Sequence, residues 1–282
     1  MGVTLSSGDL TATFHPDIGM IGSSLTHRGD ELLGQRKGLE AYAETGSTMG
    51  IPLLYPWANR LSAFSYEACG KHARIDEDEV RLDPNGLPIH GLLAASPDWE
   101  VLEQDDDRLS ARLGFPEREA YPFPHELRMD VTLERQAMRI TTSVKGNDVP
   151  ISFGYHPYLT LPGVPRAEWH VELPVSEKLI ADAKGIPTGE TEPANEPSGP
   201  LGDRGYDDGY KGVTGPFVLS GGGRRIEVTF DEGYEYAQVY APAGQDLICF
   251  EPMTAPTNVL VTGNCPTTDA YEAAFTISVT DS

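Results

Sequence analysis

The chain has few cysteines, few basic residues and no long apolar run. Cys69, Cys249 and Cys265 stand far apart, with no C-x-x-C pair of the kind that marks a zinc ribbon or a dithiol redox centre. That usage suits a reducing compartment, and a cytoplasmic location is expected. Lys and Arg number 21 against 43 Asp and Glu, for a formal net charge of −22. Nucleic-acid backbones and anionic membranes are held by clustered Lys and Arg, so neither is an expected partner, and a small neutral ligand fits better. The acid surplus itself reads most simply as a solubilising surface. The amino terminus, Met1-Gly2-Val3-Thr4-Leu5, lacks a basic region followed by an apolar one, and no later segment approaches a membrane span in length. Secretion and membrane insertion are both unexpected.

A hydrophobic content of 39% is that of a globular chain able to bury a sizeable core. A length of 282 residues would suggest roughly two domains, yet all-β sandwiches of this size form one unit. One domain over residues 1–282 is the expectation.

Period two dominates the pattern. Leu127, Met129, Val131 and Leu133 alternate with polar residues, and Ile140, Thr142 and Val144 do the same, which predicts two half-buried strands joined as a hairpin. The alternation returns in Leu109 to Phe115, in Ile226, Val228 and Phe230, and in Tyr271 to Val279. No convincing amphipathic helix interrupts these runs. Turn residues punctuate them at Asp105-Asp106-Asp107, Lys145-Gly146-Asn147-Asp148 and Gly221-Gly222-Gly223. The expected fold is an all-β antiparallel sandwich with few helices. Residues 181–215, rich in Pro, Gly, Glu and Asp and without periodicity, read as a long loop of the functional or mobile kind.

Three segments carry candidate chemistry. Phe153-Gly154-Tyr155-His156-Pro157-Tyr158 pins a histidine where a strand-like run ends; Pro88-Ile89-His90-Gly91 holds a second. Phe250-Glu251-Pro252-Met253 sets one acid among apolar residues and prolines. Within the long loop, Gly205-Tyr206-Asp207-Asp208-Gly209-Tyr210 mixes acids and aromatics, a combination suited to sugars because carboxylates accept from hydroxyls while ring faces cover C–H surfaces. A solvated acidic turn is the competing reading.

Taken in order, Gly50-Ile51-Pro52-Leu53-Leu54-Tyr55-Pro56-Trp57-Ala58-Asn59-Arg60, Ile89-His90-Gly91, Gly154-Tyr155-His156-Pro157-Tyr158 and Glu251-Pro252-Met253-Thr254-Ala255-Pro256-Thr257-Asn258 resemble the aldose 1-epimerase (galactose mutarotase) family over nearly the whole chain. The resemblance implies a β-supersandwich, no metal or organic cofactor, and interconversion of the α and β anomers of a free sugar. It also places a substrate-binding acid in an Asp-x-x-aromatic pattern, which Asp207-Asp208-Gly209-Tyr210 fits with Asp207 first and Asp208 as competitor.

The residue types suit that reaction. Opening a cyclic hemiacetal takes the proton from the anomeric hydroxyl and gives one to the ring oxygen, so a base and an acid must face one sugar. Glu251 is expected as the base, desolvated by Phe250, Pro252 and Met253, and His156 as the imidazolium acid. His90 would assist by a hydrogen bond near the ring oxygen. Arg60 offers fixed donors to sugar hydroxyls, with Asn59 beside it. Trp57, between Pro56 and Ala58, reads as core packing. His15, His27, His72, His125 and His170 fit no motif.

There are departures. Many members of the family have a second glycine after the first histidine motif, whereas Leu92 and Leu93 follow Gly91 here, which leaves the particular sugar open. A branch acting on hexose 6-phosphates carries an arginine shortly after its His-Gly; Ala94 and Ala95 stand in that region, so a neutral aldose is expected. Two other readings remain. One is a non-catalytic sugar-binding relative; the other is a metal enzyme using His90, His156 and Glu251, against which stands the lack of any closely spaced ligand pair.

Overall fold

The computed structural model describes residues 2–281. Among them the strands fall into antiparallel sheets of nine, eight, four and two strands, accompanied by two α-helices, Gly38–Thr45 and Val259–Thr262. The alternating segments form the nine-stranded sheet. His125–Leu133 pairs with Ala137–Pro150 as the expected hairpin, flanked by Arg108–Phe115 on one side and Thr267–Asp281 on the other. Leu127, Met129, Val131 and Leu133 all turn into the core, while Glu126, Arg128, Asp130 and Thr132 face outward, as period two requires.

The eight-stranded sheet carries the site. Its path runs Pro187–Pro193, Val175–Ala181, Tyr206–Val213, Tyr236–Ala241, Ile248–Met253, Gly154–Tyr155 and Leu53–Leu54, and the eighth strand, Tyr158–Leu159, pairs with Ile248–Met253 off that path. The two large sheets pack face to face. Phe250 of one stacks on Phe217 of the other at 5.3 Å between ring centres, Tyr155 meets Phe275 at 5.0 Å, and the Tyr155 hydroxyl bonds the Thr142 hydroxyl at 2.6 Å. Because Phe250 points into this core, the next residue on the strand, Glu251, must point out of the opposite face. That single parity places the acid.

Two expectations need correction. Residues 181–215 are not one loop: Pro187–Pro193 and Tyr206–Val213 are strands of the eight-stranded sheet, and Gly199–Pro200 pairs at the edge of the other. Pro187–Pro193 is an edge strand with every residue but the first exposed, so no buried face imposes apolar alternation on it. Lys145-Gly146-Asn147-Asp148 is no turn either. The strand runs on from Ala137 to Pro150, and the extra residues form a bulge between Lys145 and Val149 against Thr267–Asp281. Helix Gly38–Thr45 buries just one side chain, Tyr42, against Ile21 and Met49, too narrow a stripe to read from sequence.

Candidate active site

A cavity of about 610 Å³ opens on the outer face of the eight-stranded sheet, and all six expected site residues line it: Glu251, His156, His90, Arg60, Asp207 and Asn59. Strand parity delivers Glu251. His156 follows the short Gly154–Tyr155 strand, whose Gly154 pairs with both Leu54 and Met253, so the turn of the chain after Tyr155 lands beside the acid. His90 and Asn59 arrive on a second stitched segment. His90 N–H donates to the Asn59 carbonyl at 3.0 Å, and both residues hold positive φ, 67° and 57°. Gly91, at φ 74°, lies so close to the Tyr55 carbonyl that a Cβ there would collide with it, and this contact sets the depth of His90.

At the cavity floor His156 Nε2 lies 3.3 Å from Glu251 Oε1. Both side chains are almost completely buried, and Glu251 Oε2 and His156 Nδ1 have no protein partner. The imidazole stacks flat on Tyr158, ring centres 4.2 Å apart, and its Nε2 also lies 3.2 Å from the Tyr158 hydroxyl. His90 meets it edge-on at 5.7 Å. Acid and imidazole therefore sit side by side on one wall.

Burial governs the protons. It pushes Glu251 well above the ordinary carboxyl range, reinforced by the charge of Asp207 and opposed by Arg60. Burial also drives His156 down to about 3, with Arg36 and Arg81 adding repulsion. His90 is held well below its usual value by burial, then by His156, Arg81 and Arg60. Burial therefore favours the neutral imidazole and the protonated carboxyl over the separated charges. It works against the imidazolium that the expected acid role of His156 calls for.

On the opposite wall Arg60 is fixed by two acids. Its Nε donates to Asp83 at 2.9 Å and an Nη to Asp207 at 3.4 Å, while the other Nη reaches Asn59 Oδ1 at 3.4 Å. Burial works against charge on Asp83, but the Leu87 and Asn85 N–H groups and Arg60 outweigh it and hold that carboxyl low. Asp207 also accepts from Gln238 Nε2 at 2.9 Å. Asp208 turns away to pair with Lys178 at 2.7 Å and does not line this cavity. Trp57 is buried in the core, as its setting suggests.

Tyr158, the last residue of the His156 segment, lines the cavity without having been assigned a role, and Arg36, Thr48, Arg81, Gln238 and Tyr240 line it from outside any sequence motif. Gln238 had a signal of a kind, since it is the direct cross-strand partner of Glu251, but the register is visible only once the strands are paired. Among the described residues no group of three or more His, Cys, Asp or Glu side chains is placed to hold a metal ion, and His90, His156 and Glu251 do not form one. No helix among them is long and apolar enough to cross a membrane.

Two packed antiparallel sheets carrying a polar cavity on the outer face of one define the class of galactose mutarotase-like β-sandwiches. A galactose mutarotase-like protein from Clostridium acetobutylicum superposes with a TM-score of 0.86 at 16% identity, over 99% of this chain and 95% of that one. A protein from Synechocystis sp. PCC 6803 gives 0.80 at 23% identity, over 100% and 96%. A galactose 1-epimerase from Lactobacillus acidophilus NCFM gives 0.77 at 14% identity, over 99% and 93%. No curated protein matches the sequence. The aldose 1-epimerase family profile matches residues 3–269, and the chain belongs to that family.

Proposed function

We infer that the protein interconverts the α and β anomers of a free aldose by proton transfer at Glu251 and His156. The observation that carries this reading is the 3.3 Å contact between Glu251 Oε1 and His156 Nε2 at the floor of a sugar-sized cavity. The ring oxygen and the anomeric hydroxyl hang from the same carbon, so an acid and a base that stand side by side can address both at once. One proton hop across the contact converts the carboxyl–imidazole pair into carboxylate and imidazolium. Glu251 then takes the proton of the anomeric hydroxyl while His156 gives one to the ring oxygen. The bond from the anomeric carbon to the ring oxygen breaks and the carbonyl forms. Rotation about the bond to the carbonyl carbon presents its other face, and the reverse transfers close the ring with either configuration and restore the pair.

His90 points its edge at the reacting region and is held neutral, which suits hydrogen bonding rather than proton donation. Arg60, Asn59 and Asp207 hold the remaining hydroxyls, with Gln238 positioning Asp207. The buried Asp83 carboxylate that holds Arg60 Nε at 2.9 Å supports this role, since a donor fixed before binding loses little freedom on it. Exchange between anomers, followed by NMR saturation transfer on D-glucose and D-galactose at equilibrium, tests the reading. Acceleration in proportion to enzyme concentration is expected; exchange at the uncatalysed rate for every free aldose tried would leave a sugar-binding protein without turnover.

A further inference from the structure

Arg36 and Arg81 line the same cavity on the His156 side, and their surroundings are unlike those of Arg60. Arg60 meets two carboxylates. Among the described residues, neither Arg36 nor Arg81 lies within ion-pair distance of any, in a chain with 43 acids to 21 bases. What holds them is neutral. Arg36 donates to the Tyr158 hydroxyl at 3.2 Å and lies over that ring at 5.0 Å; Arg81 donates to the Gly46 carbonyl at 3.2 Å and to Thr48 Oγ1 at 3.4 Å. The Thr48 and Tyr158 hydroxyls join each other at 2.7 Å, so the two guanidinium groups bracket one hydroxyl pair. Each guanidinium has five N–H donors, most of which stay unspent in this arrangement.

Resting on the anomer-exchange reading above, we propose that the substrate is an aldose with an anionic arm, phosphate or carboxylate, on the carbon next to the ring oxygen, and that Arg36 and Arg81 bind this arm. The placement follows from sugar geometry. His156 addresses the ring oxygen, the ring oxygen is bonded to the carbon that carries the exocyclic arm, and that arm therefore emerges on the wall where Tyr158, Thr48 and the two arginines stand. Planar guanidinium groups match the oxygen pairs of phosphate and carboxylate bidentately. The overall charge of −22 does not oppose this, since distant surface charges are screened beyond about 8 Å at physiological salt while the two arginines act at contact.

The arrangement has a second consequence. Arg36 and Arg81 both work against a proton on His156. An anion seated between them offsets their charge, so the imidazolium needed for ring opening becomes accessible when the right substrate is bound. The arm thus helps its own turnover as well as its own binding.

Anomer exchange measured by NMR on D-glucose, D-glucose 6-phosphate and D-glucuronate tests this in wild type, Arg36→Gln, Arg81→Gln and the two Arg→Lys variants, with thermal unfolding to confirm the fold. At least one anionic sugar should exceed D-glucose in kcat/KM by about 10- to 100-fold, the usual weight of one charge-assisted hydrogen bond. Each Gln variant should shrink that ratio, mainly through KM, and each Lys variant should keep part of it. Preference for the phosphate or for the uronate identifies the arm; either one supports the proposal. A wild-type ratio at or below one, or a ratio that neither Gln variant moves, overturns it while leaving anomer exchange intact. Failure to accelerate any of the three sugars overturns the activity itself and this inference with it.

Discussion

Glu251→Gln separates chemistry from architecture, because the amide keeps the shape of the carboxyl and removes its ability to exchange a proton. Glu251 is 1% exposed, touches His156 Nε2 through Oε1 and has no protein partner at Oε2, so the substitution disturbs little besides the proton. Loss of one member of an acid–base pair costs about 10²- to 10⁴-fold in rate, which is about 3–5 kcal/mol on the barrier. Stability should move the other way. Burial holds the folded-state pKa of Glu251 well above 4.5, so the folded protein binds this proton more tightly than the unfolded chain does. The stabilisation that the tighter binding brings is fully present below 4.5 and is lost as pH rises through the folded-state value. Gln has no proton to lose, and the Tm of the variant at pH 7 should equal or exceed that of wild type. Anomer-exchange NMR and thermal unfolding on the same preparation read both quantities. Retention of more than about a third of the wild-type rate, far outside the expected range, would refute the role of Glu251. Loss of rate accompanied by a drop in Tm would show that the acid is a structural partner instead.

Two other outcomes follow from the geometry. The kcat/KM profile of the free enzyme should show no inflection near 6.5, because His156 stays neutral until pH approaches about 3; an inflection near 6.5 that disappears in His156→Asn would contradict this. The same lowered pKa means that the unfolded chain takes up this proton first, so His156 destabilises the fold progressively as pH falls below 6.5, which a Tm series against His156→Asn would read. Asp207→Asn should raise KM about 10-fold, since it removes the charge from an acceptor that lines the cavity and faces the sugar hydroxyls. Asp208→Asn should change KM by less than about twofold, because it breaks just the partly exposed pair with Lys178; the reverse order would assign the binding acid to Asp208.

The sequence announces strands wherever one face is buried and the other wet. Leu127 to Leu133 and Tyr271 to Val279 are legible for that reason. Pro187–Pro193 is not, because both of its faces meet solvent and nothing selects alternation. The bulge after Lys145 is illegible for a related cause: Gly, Asn and Asp serve a turn or a bulge equally well, and the choice is made by the partner strand Thr267–Asp281.

The site was legible in proportion to how local its motifs are. His156, His90, Arg60 and Glu251 sit in short segments of unusual composition, and all reach one cavity. Arg36 and Arg81 sit in ordinary surface sequence and become neighbours only through Tyr158 and Thr48. The segment after Gly91 was the place to look for positive charge by resemblance, yet the cavity draws it from residues on both sides of the Leu53–Leu54 strand. Local sequence also cannot weigh desolvation, so the burial that works against charge on His156 is visible only in the folded site.

The central claim is that Glu251 and His156 act as one proton-transfer unit. A kinetic double-mutant cycle of Glu251→Gln and His156→Asn, read by anomer exchange, tests it most directly. Each single substitution should cost about 10²- to 10⁴-fold, and the double should cost no more than the worse single within about threefold, since half a unit is as inactive as none. Losses that multiply would contradict the account, because they would mean two groups working independently.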